Sequence, residues 1–115
     1  MYQECHIAKK DLRKYYTNVL LEGKKQEFKV DSGAGYTFFP ESEYRRLGIT
    51  AKLQPTNIRF RSYTQTIFEP LGIDQVAVHY KDHESKEIIF IVPSDYPSFG
   101  RAWIRHLKIN LAELG

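Results

Sequence analysis

Three times along this chain, two runs of β-branched, aromatic and aliphatic residues flank a short polar stretch, a pattern that folds into antiparallel hairpins and leaves little room for long helices. From Lys14 to Val30, residues Tyr16, Val19, Leu20 and Leu21 form one run and Gln26 to Val30 another, with Glu22-Gly23-Lys24 as the turn. Ile58, Phe60 and Ser62 alternate with Arg59, Arg61 and Tyr63, and Thr64-Gln65-Thr66 makes a polar tip before Ile67 and Phe68. Gly72 to Tyr80 and Glu87 to Val92 flank the polar Lys81 to Lys86, which predicts a third hairpin turning near His83. Tyr36 to Phe39 reads as a further buried strand.

Helical signals are confined to two places. Pro40-Glu41-Ser42-Glu43 puts proline and acids where a first turn favours them, so a short helix should run to about Leu47 and stop at Gly48. Gly100 to Leu107 carries Trp103, Ile104 and Leu107 at helical spacing, which predicts the only other helix, with those side chains in the core. Pro93 to Pro97 reads as a loop, and Lys108 to Leu111 as a closing terminal strand. The expected class is all-β, a single compact domain over residues 1–115 with one or two short helices.

A chain of 115 residues can bury about two-thirds of the surface its unfolded form exposes, enough for one core. No apolar run approaches the ~20 residues of a membrane helix, and Met1 to Asp11 lacks the apolar stretch of a secretory signal, so the expectation is a soluble protein with no membrane partner. Cys5 is the only cysteine, which excludes an internal disulfide and suits a reducing compartment. The net charge of +3 is spread in short groups, a solubility pattern that argues against a nucleic-acid partner. His79 and His83 stand four apart, but on a strand and its turn and without a third ligand, so no metal is expected, and no cofactor.

The chemistry concentrates at Asp31-Ser32-Gly33-Ala34-Gly35. A β-rich run delivers the chain to an acid, and the small residues that follow cannot form a packed element, so the carboxylate is presented on a tight loop at a strand end. Taken alone, Asp-Ser-Gly is an ordinary solvent-exposed turn. The apolar runs on both sides, and a second glycine element at Phe99-Gly100-Arg101, set it apart.

With those residues in order, the sequence resembles the retropepsins, the aspartic proteases of retroviruses and long-terminal-repeat retrotransposons. The likeness covers nearly the whole chain: the first hairpin, Asp31-Ser32-Gly33-Ala34, the hairpin across Ile58 to Phe68, Pro70-Leu71-Gly72, and Phe99-Gly100-Arg101-Ala102-Trp103-Ile104. The resemblance implies a closed acid-protease barrel with a flap hairpin. It makes Asp31 the catalytic aspartate, Ser32 the hydroxyl that braces the two active-site loops across a dimer axis, and Gly33 and Ala34 cleft-lining positions. It further assigns Tyr63, Thr64, Gln65 and Thr66 to a substrate-binding flap tip, and gives Gly100 and Arg101 a supporting role beneath the site. Residues 1–12 would be a flexible or dimer-interface segment. Some positions depart from the family: Gly35 replaces an acid that often pairs with the helix arginine, Ser98-Phe99 replaces two aliphatics, Ala102 stands where Asp or Asn is usual, and flap glycines are missing from Arg61 to Phe68.

Aspartic proteolysis needs two carboxylates sharing a proton, one ionised to activate water and one protonated to polarise the scissile carbonyl. Asp11, Asp74, Asp82 and Asp95 lack the hydroxyl-glycine sequel, so a second copy of the chain must supply the second acid. The expectation is a homodimeric endopeptidase, pepstatin-sensitive and mildly acidic in its pH profile. By resemblance it would cut a retroelement polyprotein at bonds flanked by large apolar residues, in the cytoplasm or in virus-like particles. The alternative is a dormant or host-adopted module that keeps the fold for dimerisation or peptide binding, against which the intact Asp31-Ser32-Gly33 argues.

Overall fold

In the computed structural model, residues 2–5, 15–49, 52–62, 67–93 and 97–114 are described. Six strands close into a barrel in the spatial order β2 (Tyr15–Leu21), β3 (Lys24–Val30), β9 (Ser98–Phe99), β4 (Phe38–Pro40), β8 (His83–Val92) and β7 (Gly72–Tyr80). β2 and β3 form the first predicted hairpin, in register from Leu21 opposite Lys24 to Tyr15 opposite Val30. Its turn is only Glu22-Gly23, with φ of 51° and 82°, and two consecutive left-handed residues match the twist of the strands they join. β7 pairs antiparallel with β8 over its whole length, from Gly72 opposite Ile91 to Tyr80 opposite His83.

Here the structure corrects the sequence reading. The turn is Lys81-Asp82, and residues 83–86, expected as turn, are strand. Their burial alternates between half-buried and exposed, so polar side chains stand on a wet face while the backbone continues the ladder. A second correction concerns the C-terminus, where a third short helix, α3 (Leu111–Leu114), replaces the expected strand. Asn110 Oδ1 accepts the Ala112 N–H at 3.0 Å and starts the new turn. Just before it, α2 (Arg101–His106) ends with Lys108 at φ 56°, where Lys108 N–H donates to the Arg105 carbonyl and Ile109 N–H to the Ile104 carbonyl. That paired closure turns the chain out of line with any strand.

The barrel core is aromatic at the end that bears the site. Phe28 lies 5.5 Å from Phe39, 5.5 Å from Phe99 and 5.3 Å from Trp103, ring centre to ring centre. Trp103 is buried, as its helical spacing predicted, and its indole N–H reaches the Ile88 carbonyl at 3.4 Å. α1 (Glu41–Arg46) follows β4 directly, with Glu41 and Glu43 in its first turn and Arg45 and Arg46 in its last. Tyr44 buries its ring and donates from its hydroxyl to Asp74 at 2.8 Å.

A smaller sheet stands outside the barrel, with β5 (Arg59–Ser62) between β1 (Tyr2–Cys5) and β6 (Ile67–Phe68). β5 and β6 are the predicted second hairpin. Its base is pinned by a second cluster in which Phe60, fully buried, packs edge-on against Phe38 at 4.7 Å and Phe90 at 5.3 Å. Such pairs are each worth about 0.5–1.5 kcal/mol beyond the area they bury, enough to hold the foot of a hairpin firmly. β1 pairs parallel with β5, Tyr2 opposite Arg59. The predicted tip, Tyr63, Thr64, Gln65 and Thr66, lies outside the described residues.

Candidate active site

β3 carries the chain to Asp31 within a parallel ladder. Lys29 N–H donates to the Pro97 carbonyl at 2.8 Å, and Asp31 N–H to the Phe99 carbonyl at 3.0 Å. Strand alternation then sends Phe28 and Val30 into the core and turns Lys29 and Asp31 to the other face. Beyond the last ladder bond the backbone folds on itself: Asp31 Oδ1 accepts the Gly33 N–H at 3.0 Å, and the Asp31 carbonyl accepts the Ala34 N–H at 3.1 Å. A carboxylate closing its own turn in this way fixes its orientation without a partner from another element. Asp31 is half-buried, Ala34 is buried, and Ser32 and Gly33 are exposed.

The second glycine element grips this loop from below. Gly100 N–H donates to Thr37 Oγ1 at 3.1 Å, and Arg101 N–H to the Ala34 carbonyl at 2.9 Å. A Cβ at position 100 would meet the Ala34 carbonyl oxygen at 2.6 Å and the Tyr36 carbonyl oxygen at 2.7 Å, distances that backbone cannot relieve locally. Only glycine lets the start of α2 come this close. The Arg101 guanidinium reaches back to the Gly33 carbonyl at 3.1 Å. With no acid at position 35, this carbonyl is the arginine's partner, and a Cβ on Gly35 would stand 3.3 Å from Arg101 Nη2. Asp31, Gly33, Ala34 and Arg101 are therefore one hydrogen-bonded unit, with Gly100 held against it through Thr37 and Ser32 exposed on the loop.

The remaining described aspartates are placed differently. Asp74 is engaged by Tyr44, whose hydroxyl is pushed far above its usual value, first by burial and then by the hydrogen bond and charge of Asp74. Asp82 is exposed in the β7–β8 turn. Among the described residues, no group of three or more His, Cys, Asp or Glu side chains could hold a metal ion. His79 faces Glu84 across the β7–β8 ladder and His83 faces Tyr80.

Two polar features escaped the sequence reading. Glu87 is buried at 5% exposure and pairs with His106 Nδ1 at 2.8 Å, with the Ser85 hydroxyl also donating to it. Glu87 and His106 border an open groove of about 420 Å³ between β8 and α2, whose walls include Tyr36, Phe90 and Trp103. Lys29 is the other, also 5% exposed. Neither carries a spacing signal, because each is defined by what packs over it from elsewhere in the chain.

No protein-family model matches the sequence, and no curated protein gives a sequence match. Solved structures do match. The EIAV protease complexed with the inhibitor HBY-793 superimposes with a TM-score of 0.77 at 16% identity, covering 91% of this chain and 98% of that one. A retropepsin-like aspartic protease from Rickettsia conorii gives a TM-score of 0.58 at 19% identity, over 80% of this chain and 68% of that one. The chain has the retropepsin fold.

Proposed function

We propose that this protein is an aspartic endopeptidase that works as a homodimer, with Asp31 of each chain forming the catalytic pair. One observation carries the reading: the Asp31 loop is built and braced like a site, and the described part of the chain holds one such loop, half of what the chemistry requires. An isologous twofold dimer brings the two loops together. Ser32 is exposed and makes no side-chain hydrogen bond among the described residues, which leaves its hydroxyl available to brace the partner loop.

In the dimer, a water lies between the two carboxyl groups. The ionised carboxylate takes a proton from the water as its oxygen attacks the scissile carbonyl, and the protonated carboxyl stabilises the oxygen that becomes negative. The proton then passes to the departing amine, and the pair returns to its singly protonated state. The β5–β6 hairpin serves as the flap over an extended peptide, its foot fixed by the Phe38–Phe60–Phe90 cluster. The natural substrate is a retroelement-type polyprotein, processed in the cytoplasm or in virus-like particles.

Incubation with a denatured protein or a peptide library, with and without pepstatin, tests the assignment. Cleavage should be pepstatin-sensitive and should fall by about 10²–10⁴-fold or more in Asp31→Asn. Cleavage that persists in that variant would refute it.

A further inference from the structure

Lys29 is 5% exposed, yet it is a lysine, and its side chain makes no hydrogen bond or ion pair among the described residues. Among the described residues no buried side-chain nitrogen or oxygen is left without a partner, so the Lys29 amino group still touches solvent. The stem is covered and only the charged tip emerges. The position of that tip follows from the ladder: the Lys29 and Asp31 N–H groups bond successive acceptors at Pro97 and Phe99, so the two side chains leave the same face of the strand. Two residues of strand separate their Cα atoms by about 6.6 Å, the span of two residues of an extended peptide. Opposite Lys29 in the parallel register stands Ser98, also buried and also polar.

A lysine whose covered stem fixes it on the face of Asp31 presents its amino group at a set place, ready to meet an opposite charge with little further ordering. Among the described residues, none forms an ion pair or side-chain hydrogen bond with Lys29. We propose that the partner is the substrate: Lys29 is a specificity residue whose amino group receives the carboxylate of a glutamate or aspartate flanking the scissile bond, with Ser98 as a second donor. This rests on the protease reading above and departs from the apolar flanking residues that the family resemblance implies. Because the dimer has two copies of Lys29, one on each side of the axis, the selected acid can flank the bond on either side.

The test uses the full-length homodimer and one peptide series in which each residue flanking the cleaved bond is in turn Glu, Gln or Leu. The wild-type protein should cleave the Glu peptide with a kcat/KM about ten-fold or more above both Gln and Leu at one of the two positions. Lys29→Leu should reverse that order in favour of Leu, and Lys29→Arg should keep it. Equal rates for Glu and Gln in the wild type, or a Leu preference, overturn the inference while leaving the protease assignment standing. That comparison needs no variant to fold. A wild-type protein that cleaves none of the peptides and no denatured protein removes the protease reading, and this inference with it.

Discussion

Tyr44 shows how a side chain away from the site holds the barrel together. Its hydroxyl donates to Asp74 at 2.8 Å and joins α1 to β7, two elements far apart in sequence. Below the ordinary tyrosine value of 10.0 the hydroxyl is protonated in folded and unfolded chains alike, and the contribution to stability is fully present. Above pH 10 the unfolded chain ionises first, because the folded value is raised, so stability falls as pH climbs through that window. Tyr44→Phe should cost about 1 kcal/mol at pH 7, the net worth of one hydrogen bond. Urea unfolding at pH 7 and pH 11 should show the gap between wild type and variant narrowing at the higher pH; a constant gap would contradict this account. Asp31 is a contrast at the same scale, since its orientation comes from its own turn and its carboxylate is half-exposed.

Among the elements, the junction of the Asp31 loop with α2 is the least tolerant of change. Gly100→Ala would press a methyl group onto two carbonyl oxygens, and overpacking of this kind costs about 1–3 kcal/mol. Thermal unfolding should show that loss, together with reduced cleavage as the loop is pushed from α2; a variant with unchanged stability would mean the two are not packed as described. The sequence made this junction visible, because two glycine-containing motifs sit at the ends of apolar runs. The hairpins were equally legible through their alternation. What stayed hidden was local or three-dimensional in origin. Residues 83–86 are polar yet strand, since one face of β8 is wet there. The closing strand became α3 because Lys108 adopts a left-handed conformation that no propensity favours and Asn110 then caps a new turn. Lys29 carries no signal in the sequence beyond its place in the run from Gln26 to Val30, and only the fold, which covers it on the face of Asp31, gives it significance.

For the whole molecule, the decisive property under the proposed function is that the described residues carry one braced aspartate loop. The barrel closes on itself, so the fold does not need a second copy to complete its sheet. The proposed chemistry would, since one carboxylate cannot both accept the proton of water and donate to the carbonyl. Co-refolding wild-type and Asp31→Asn chains in varied proportion, at a fixed total concentration high enough to keep dimers formed, tests this directly. Mixed dimers hold one functional aspartate and should be inactive, so cleavage should follow the square of the wild-type fraction and an equal mixture should keep about a quarter of the wild-type activity. Activity that instead falls in simple proportion to the wild-type fraction would mean that each chain works alone, and would contradict a site shared by two copies.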